Sequence, residues 1–374
     1  MEITEVETVA FTAESHLTSD EKGHAHPGEA HETTRTLTRI HTDTDLVGVA
    51  MGGTAAAANV AERYLVGADP FEREALWQQL FRTQRLNLGT LTDSALASID
   101  VALWDLLGKA CEQPVYRLLG GARDAVPAYA STMVGDDDPN GLGSPEAYAD
   151  FARDLVGQGF QAIKLHGWMP PYSADPERDL AACRAVREAV GPDVDLMLDS
   201  HHYYSRTEAK RLGDGLAELD YRWFEEPMDE YSMSAYEWLA EQVDVPVIGP
   251  ETAGGKHRTR AEWIKRDVAD IVRAGTHDMG GITPAMKTVN TCESFAVECE
   301  LHGAGLGNLH VLGASETGDY FEYGLLHPDY DYEGSRPWLT DPPTPDDDGL
   351  IHLPQEPGIG WNVDWDFVES NRVE

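Results

Sequence analysis

The fold is decided by five short segments between residues 163 and 303: Ile163-Lys164-Leu165-His166, Leu198-Asp199-Ser200-His201, Phe224-Glu225-Glu226-Pro227, Pro250-Glu251-Thr252 and Leu301-His302-Gly303. Most of them close a short apolar run with an ionisable residue. A strand, a polar tip and a helix that repeat every ~25–35 residues are typical of a (β/α) barrel, which carries its site at the C-terminal ends of its strands. The stretch from Lys164 to His310 therefore predicts a barrel with its functional residues at one rim.

Alternating strands and helices are indicated from Val126 onward. Candidate strands end at Thr132, His166, Asp199, Glu225, Glu251, Gly275 and His302, with an eighth short strand before Glu322. Helices are predicted near residues 145–157, 177–190, 205–218, 232–242, 259–267 and 283–294, with capping boxes at Ser205–Glu208 and Thr259–Glu262. Short connections repeated in this way need right-handed crossovers, which predicts a parallel barrel.

Three carboxylates follow successive predicted strands at equal spacings of 26 residues: Asp199, Glu225 and Glu251. Hard oxygen ligands that converge from three strands suit Mg²⁺, which keeps other positions for water and substrate. Each carboxylate alone would more simply cap the next helix. Because all three lie at strand tips with the same spacing, we interpret them as metal ligands.

Lys164 and His166 lie two residues apart on one predicted strand and therefore share a face, which in a barrel is the interior. Buried lysine and histidine are rarely structural, because desolvating a cation costs free energy. Near a metal, either could remain neutral and act as a base. The alternative for His166 is a hydrogen-bonded core histidine.

Three further residues are candidates for acid–base chemistry. His201 shares the face of Asp199, and His302 ends the seventh strand, across the barrel from the second. Two bases that face each other across a metal-bound carboxylate would suit the movement of an α-proton. Glu322, placed at the end of the last strand, could hold a substrate carboxylate, donate a proton if its pKa is raised, or be an ordinary solvated charge.

The segments on either side of the barrel have their own patterns. Strands are predicted at residues 2–12, 34–41 and 46–51, a long loop at 13–33, and a strong helix from Asp93 to Lys109. A three-stranded sheet followed by helices is an α+β domain. We therefore divide the chain into an α+β domain at residues 1–125, a barrel domain at 126–340, and a C-terminal segment at 341–374 whose apolar residues predict that it packs back on the body.

The composition limits the partners. The chain has 374 residues, 66 acidic and 28 basic, and a formal net charge of −38 spread along its length. The simplest interpretation is a solvated acidic surface, as in proteins of a high-salt cytoplasm, where ions screen the repulsion. A basic partner is the alternative. Nucleic-acid binding is not expected without a basic patch.

Compartment and redox state follow from what the sequence lacks. Cys111, Cys183, Cys292 and Cys299 form no CxxC pair and lie in apolar segments, which predicts reduced core residues. The N-terminus has no basic and apolar regions of a signal peptide, and no apolar run approaches the ~18 residues of a membrane span. We expect a cytoplasmic protein with no membrane partner.

With these residues in place, the chain resembles the enolase superfamily, and within it the mandelate racemase/muconate lactonizing enzyme family. The resemblance covers nearly the whole length. It includes the helix Ala95–Lys109, the following segment Pro114–Gly121, and the motif order along the barrel strands. It implies a modified TIM barrel, (β/α)7β, with residues 1–125 as the N-terminal α+β capping domain. It also implies homo-oligomers, since family members usually form dimers to octamers.

The resemblance also implies a chemistry. Asp199, Glu225 and Glu251 would bind Mg²⁺, and the metal would hold the substrate carboxylate and stabilise an enediolate after α-proton abstraction. Lys164-Leu165-His166 is similar to the family's Lys-x-Lys position, with His166 in place of the second lysine. Asp199-Ser200-His201 resembles the Asp-x-His of sugar-acid dehydratases, in which the histidine is the general acid. His302 and Glu322 resemble the histidine of strand seven and the carboxylic acid of strand eight.

One position departs from the family pattern. The strand-seven histidine usually pairs with an aspartate at the end of strand six, and that position is Gly275 here. Without the carboxylate, His302 loses the partner that orients it and raises its basicity. Asp278 or His277 could substitute from the adjoining loop. Alternatively, His166 is the base and His302 only positions the substrate.

Three functions are therefore compatible with the sequence. The leading hypothesis is a Mg²⁺-dependent dehydratase of an aldonate-type acid sugar, in which His201 helps the β-hydroxyl to leave and a 2-keto-3-deoxy acid forms. The first alternative is a racemase or epimerase of a 2-hydroxy acid. The second is a non-catalytic ligand-binding homologue, against which the intact set of three carboxylates argues.

Overall fold

An antiparallel sheet of three strands opens the chain: β1 (Ile3–Ser19), β2 (Ala25–Thr42) and β3 (Val47–Met51). The computed structural model describes residues 1–21, 23–138, 140–168, 174–200 and 202–373. Apolar residues of the inner face of the sheet, such as Val6 and Ile40, are buried against the helices that follow. The predicted strands at 2–12, 34–41 and 46–51 are confirmed.

The predicted loop at residues 13–33 is wrong, because β1 and β2 continue their pairing through it. The register runs from Phe11↔Arg35 to Ser19↔Ala25, with a shift between Ser15 and Leu17. The turn is closed by Asp20, which accepts a hydrogen bond from His24 N at 3.0 Å. Most side chains of this outer part are polar and exposed or half-buried. Its strand structure therefore comes from backbone pairing and not from the hydrophobic alternation by which strands are recognised.

The helices of the N-terminal part pack on the sheet. They are α1 (Ala55–Leu65), a short 3₁₀ turn (Pro70–Glu72), α2 (Arg73–Gln84), α3 (Asp93–Ala110) and α4 (Val115–Leu119). Helix α3 confirms the strongest helix prediction. Thr92 caps it by accepting from Ala95 N, and Leu96, Leu103 and Leu106 on it are fully buried.

Eight parallel strands form the barrel, in the order β10-β9-β8-β7-β6-β5-β4-β11. The strands are β4 (Ala125–Thr132), β5 (Ala162–His166), β6 (Asp195–Asp199), β7 (Trp223–Glu225), β8 (Val247–Gly249), β9 (Ile271–Ala274), β10 (Glu298–Leu301) and β11 (Phe321–Leu326). The strands at the two ends of this order come together, since Gly303 N, just after β10, donates to Glu322 of β11 at 2.7 Å. The predicted barrel is confirmed.

Helices surround these strands. They are α5 (Pro145–Gly157), α6 (Pro176–Val190), α7 (Arg206–Glu218), α8 (Met233–Ala240), α9 (Lys256–Lys265), α10 (Thr276–Met279), α11 (Ile282–Phe295) and α12 (Leu306–Gly313). The capping box at Ser205 and Glu208 is present. The one predicted at Thr259 is wrong, because α9 begins earlier, after Gly255, and Thr259 lies inside it with its hydroxyl donating to Gly254 O.

The C-terminal segment contacts both parts of the molecule. Strand β12 (Leu350–His352) pairs antiparallel with β4, and α13 (Trp365–Ser370) packs its Phe367 ring 6.4 Å from the ring of Phe11 in β1. Ile351 and Ile359 are fully buried. The domain boundaries themselves stay predictions.

Two expectations about the cellular compartment can be compared with the structure. Among the described residues, no helix combines the length and the apolar character that crossing a bilayer requires. Cys183, Cys292 and Cys299 are buried, as predicted, but Cys111 is exposed, because it lies just beyond the end of α3 where the chain reaches the surface.

Candidate metal centre and active site

Three carboxylates meet at the C-terminal rim of the barrel. Asp199 ends β6, Glu225 ends β7, and Glu251 lies two residues beyond β8. The parallel register places Asp199 beside Glu225. Each of the three residues offers an oxygen within 4.8 Å of the others, and all three are buried. The spacing in the sequence therefore becomes a cluster of oxygen atoms in space.

Two oxygens of this carboxylate cluster lack a hydrogen-bond donor among the described residues. Glu225 Oε1 and Glu251 Oε2 are buried and accept no hydrogen bond. Burial raises the pKa of Glu251 well above its usual range, although His302 opposes this, and burial together with Asp199 and Glu230 raises that of Glu226 to about 9. Buried acceptors without donors cost free energy. A hard divalent cation fits this donor set, because it would supply a partner for these two oxygens.

Lys164 points from β5 into the carboxylate cluster. Its Nζ lies 3.3 Å from Asp199, 3.2 Å from Glu225 and 3.0 Å from Glu322, and its side chain is 1% exposed. Burial alone would lower its pKa, but Glu225 and Glu322 outweigh burial and raise it well above the usual value. In this arrangement the carboxylates therefore favour the charged form of Lys164.

His166 lies on the same face of β5. Its Nδ1 is 2.6 Å from the carbonyl oxygen of Thr132, and its Nε2 is 3.1 Å from Asp199 Oδ2. Because a carbonyl oxygen only accepts, Nδ1 must carry a hydrogen in this contact. Nε2 is then the ring atom that faces the carboxylate cluster and can exchange a proton there.

His302 lies on the other side of the cluster, directly after β10. Its Nδ1 is 2.7 Å from Asp278 Oδ2 and its Nε2 is 3.2 Å from Glu251 Oε1. Burial opposes protonation of the ring, but Glu251 and Asp278 raise its pKa to about 10. Asp278, in α10, therefore supplies the carboxylate that Gly275 lacks, which was one of the two substitutes considered from the sequence.

Glu322 is the second residue of β11, and not the last residue of a strand as predicted, because the strand continues to Leu326. Its carboxylate accepts hydrogen bonds from Ser131 Oγ at 2.9 Å and Arg273 Nη2 at 3.0 Å, besides the contacts to Lys164 and Gly303 N. Burial would raise its pKa, but Lys164 and Arg273 lower it well below the usual value. This is the reverse of the shift that proton donation would need.

Arg273 was not recognised from the sequence. It is fully buried in β9, with Nε 2.7 Å from Glu225 Oε1 and Nη2 2.8 Å from the Tyr129 hydroxyl. The contact to Glu225 is close in distance, but the Nε–H does not point along it, so neither atom has a hydrogen-bond partner. The available signal was a single arginine inside the apolar run Ile271–Ala274.

The segment that carries Glu251 is fixed by a second carboxylate, also unrecognised. Glu230 accepts hydrogen bonds from the backbone N–H of Glu251, Thr252 at 2.8 Å and Ala253 at 2.9 Å. Arg260 donates to the carbonyl oxygens of the same segment. Nothing in the sequence near Glu230 indicates this role, because its partners lie about 20 residues away.

Two histidines remain. His201, the predicted general acid, lies outside the described residues. His310 lies on α12, away from the carboxylate cluster. Its Nδ1 accepts from Tyr116 N at 3.0 Å and its Nε2 is 2.9 Å from Ile359 O, so it joins α4 to the C-terminal segment.

Known families match both parts of the chain. The model described as "Mandelate racemase / muconate lactonizing enzyme, N-terminal domain" matches residues 24–120, and the one described as "Enolase C-terminal domain-like" matches residues 147–367. The second alone spans more than half of the chain.

Individual proteins are similar over most of their length. The crystal structure of a D-glucarate dehydratase from Agrobacterium tumefaciens complexed with magnesium is 47% identical, has a TM-score of 0.97 and is covered over 100% of both chains. The arabinonate dehydratase of Saccharolobus solfataricus is 30% identical, over 78% of this chain and 75% of the relative. The D-galactarolactone cycloisomerase of Agrobacterium fabrum is 29% identical, over 85% of each.

Proposed function

Because the chain belongs to the mandelate racemase/muconate lactonizing enzyme family of the enolase superfamily, we propose that it is a Mg²⁺-dependent hydro-lyase that removes water from an acid sugar. Similar proteins named as glucarate, arabinonate and xylonate dehydratases support the reaction class. The observation that carries the proposal is the convergence of Asp199, Glu225 and Glu251 between two histidines on opposite sides.

The three carboxylates of the cluster would hold the cation. When bound, Mg²⁺ would supply the positive charge that neutralises the substrate carboxylate as the α-proton leaves. Lys164 and Arg273 each contact Glu225 of the cluster and also Glu322. Their positive charges therefore offset part of the negative charge of these carboxylates. Glu230 holds the segment around Glu251 in place.

His302 is the proposed base. Asp278 holds Nδ1–H, so that Nε2 is directed at the site. The pKa of about 10 is due in part to Glu251, which faces Nε2; a cation bound at Glu251 would offset that charge and favour the neutral ring, which takes the α-proton. The C–H electron pair then forms the new C=C bond, the β-C–O bond breaks, and the hydroxyl leaves as water with a proton from an acid on the other face. His166 Nε2 lies on that face, beside Asp199, and His201 stays the acid proposed from the sequence. The enol product tautomerises to a 2-keto-3-deoxy acid.

An acid-sugar panel tests the proposal. The purified protein is incubated with aldonates and aldarates of several configurations, and 2-keto acid formation is measured with Mg²⁺ and after its removal by a chelator. We expect a 2-keto product from at least one sugar acid, only with the metal. Absence of product from every member, together with racemisation of a smaller 2-hydroxy acid, would contradict it.

A racemase or epimerase is the second candidate, and one observation favours it. The contact between Asp278 and His302 gives the site a supported base opposite His166, which is the layout that proton transfer between two faces requires. Exchange of the α-proton with solvent deuterium without loss of water would support this candidate over dehydration.

A non-catalytic homologue is distinguished by metal binding. The Asp199→Asn variant should bind Mg²⁺ at least 10-fold more weakly than the wild type in calorimetry, because one of three anionic ligands is lost. Equal affinity, or no binding to either protein, would favour a role without metal chemistry.

A further inference from the structure

A cavity of about 980 Å³ lies between the N-terminal hairpin and the barrel. One wall comes from β1 and β2, through residues such as Leu17 and Ala25, and the other from Met133, just after β4, and Gly324 in β11. Its volume is that of a small-molecule site. The charged residues of its lining indicate the class of ligand that the cavity would bind.

Two arginines line this hairpin cavity, Arg35 and Arg336, and both are half-buried. Neither guanidinium forms an ion pair or hydrogen bond with any described residue, although the chain has 66 acidic residues against 28 basic ones. Three of their nitrogens, Arg35 Nε and Arg336 Nε and Nη2, are shielded from solvent without an acceptor. Buried donors without acceptors are costly, so a ligand that supplies acceptors is favoured here.

The geometry of Arg336 indicates which acceptor. Its Nε–H and Nη2–H project from one edge of the guanidinium, which is the edge that binds both oxygens of a carboxylate in parallel. The ring of Tyr332 lies 4.5 Å from its Cζ, and that of Trp338 lies 5.6 Å from the Cζ of Arg35. These rings support the guanidinium planes but accept no conventional hydrogen bond from the free edge.

Three acidic residues, Glu14, Asp329 and Asp331, also line the cavity. Glu14 lies 3.1 Å from His16 Nε2, and Asp331 accepts from Gly334 N at 2.9 Å. Asp329 is exposed to solvent, whereas the nitrogens of the two arginines are the polar side-chain atoms of this lining that are shielded from solvent without a partner among the described residues. An anion with oxygen acceptors is the ligand class that fits.

The cavity opens at the same end of the barrel as the candidate active site. Met133 follows Thr132, whose carbonyl oxygen contacts His166 at 2.6 Å, and Gly324 lies two residues after Glu322. The turn of the hairpin reaches the rim too, because the ring of His24 lies 6.1 Å from that of Tyr203, four residues after Asp199. The cavity and the carboxylate cluster therefore lie on the same side of the barrel.

Resting on the proposed function, we propose that Arg35 and Arg336 bind the distal carboxylate of the substrate, so that the enzyme selects diacid sugars, aldarates, over aldonates. The distal carboxylate supplies the acceptors that the two guanidinium groups lack. An aldonate has a hydroxymethyl group at this end and would leave the arginine charge uncompensated. This substrate class differs from the aldonate expected from the sequence.

Matched substrate pairs test the selection. D-glucarate and D-gluconate share their configuration and differ at C6, which is a carboxylate in the first and a hydroxymethyl group in the second. The galacto-configured pair is used in the same way. We expect wild-type kcat/KM to be roughly 10- to 100-fold higher for the diacid of the accepted pair, the loss that one charged hydrogen-bond pair implies. An equal or higher value for the aldonate would overturn the proposal.

Variants assign the effect to the two arginines. Arg336→Gln and Arg35→Gln should each lower kcat/KM for the diacid by roughly 10-fold or more, mainly through KM, and change that for the aldonate by less than about 3-fold. Arg336→Lys should recover part of the loss, because charge is restored without the two-donor edge. Arg39→Gln is the control, since Arg39 lies on the same strand but is paired with Glu7 at 2.9 Å. An equal loss for both substrates would overturn the assignment.

A binding measurement separates this inference from the proposed function. Calorimetry on the Mg²⁺-loaded protein compares diacid and aldonate binding without requiring turnover. If no acid sugar is dehydrated, the proposed function fails. The inference stands in that case only if the diacid binds more tightly than the aldonate and Arg336→Gln removes the difference. Equal binding of the two acids would overturn it whatever the activity.

Discussion

At Gly275 the absence of a side chain makes room for the carboxylate of another residue. A Cβ atom built there would lie 2.6 Å from Asp278 Oδ2 and 3.0 Å from the carbonyl oxygen of His302. The backbone of Gly275 is extended, so the requirement concerns space and not conformation. The residue that made the base uncertain in the sequence is therefore the one that allows Asp278 to reach His302.

Replacing Asp278 by Asn tests the supported base. The amide nitrogen or oxygen can face Nδ1, but the negative charge that holds the histidine in the useful tautomer is lost. We expect kcat to fall by roughly 10²- to 10⁴-fold, the usual contribution of general acid–base catalysis. Mg²⁺ affinity in calorimetry should stay within a few-fold, because Asp278 is not in the carboxylate cluster. A variant with wild-type α-proton exchange would show that His302 is not the base.

Replacing Gly275 by Ala tests the space requirement. The methyl group would displace the Asp278 carboxylate, so kcat should fall by about 10-fold or more while Tm changes little. Gly305→Ala is the matched control, since a Cβ at Gly305 meets no atom within 4 Å. If both variants keep wild-type kcat, the contact between Asp278 and His302 is not needed for turnover.

Residues at strand ends could be predicted from the sequence, and residues that act across the barrel could not. Asp199, Glu225 and His302 close apolar runs, and strand ends meet at one rim, so their convergence follows from the pattern. Arg273 and Glu230 reach the site through contacts between segments far apart in the chain. Local spacing has no information about such contacts, which is why both were missed.

At the scale of elements, helix α11 of the barrel is capped from the N-terminal part of the chain. Asp100 in α3 accepts from Thr283 N at 2.9 Å and from Thr283 Oγ1 at 2.7 Å, in the first turn of α11. A carboxylate at a helix N-terminus accepts hydrogen bonds from free N–H groups and interacts favourably with the positive end of the helix dipole. The same residue therefore stabilises the helix and joins it to α3.

This cap should make stability depend on pH. Burial raises the pKa of Asp100 from 3.8 to about 6, against the hydrogen bonds from Thr283. The folded state thus binds the proton more tightly than the unfolded state. The contribution of Asp100 to the free energy of unfolding is therefore full below about pH 4, and as the pH rises through 6 it decreases by about 3 kcal/mol at most. The Tm of the wild type minus the Tm of Asp100→Asn should therefore decrease from pH 5 to pH 7. Exposed Asp150→Asn is the control, and a constant difference would contradict this.

The segment after β8 gives a prediction about metal affinity. In Glu230→Gln one oxygen becomes an N–H₂ group that cannot accept from the backbone N–H groups of residues 251–253. We expect Mg²⁺ to bind about 10- to 100-fold more weakly, the usual effect of removing a group that orients a metal ligand. Calorimetry measures it, with Glu237→Gln as the control, because Glu237 lies in α8 and pairs with Arg266 instead of the segment around Glu251. An unchanged dissociation constant would show that Glu251 needs no such support.

Elements with a buried apolar face were predictable, and those held by backbone pairing were not. Helix α3 has such a face and was found. The outer half of the β1–β2 hairpin has polar residues on both faces, so no periodicity marks it. The error matters for function, since this hairpin forms one wall of the cavity with Arg35 and Arg336.

At the scale of the whole molecule, the net charge of −38 predicts salt-dependent stability. Raising KCl from about 0.1 M to about 1 M shortens the Debye length from ~10 Å to ~3 Å and weakens the repulsion between surface carboxylates. Tm should therefore rise by several degrees, and sucrose, which does not screen charge, should not reproduce the charge-dependent part. A Tm that stays constant or falls with KCl would contradict the interpretation of a repulsive acidic surface. An origin in a high-salt cytoplasm stays a prediction.

The pairing of the first strand with the C-terminal segment has a consequence for synthesis on the ribosome. Thr12 N donates to Asn371 O at 2.9 Å and Val373 N donates to Ala10 O at 2.9 Å, while Phe11 packs on Phe367. The edge of β1 that pairs with the C-terminal segment therefore stays unpaired until about 360 further residues have been translated. The contacts of this strand with the C-terminal segment are therefore among the last of the fold that can form during synthesis.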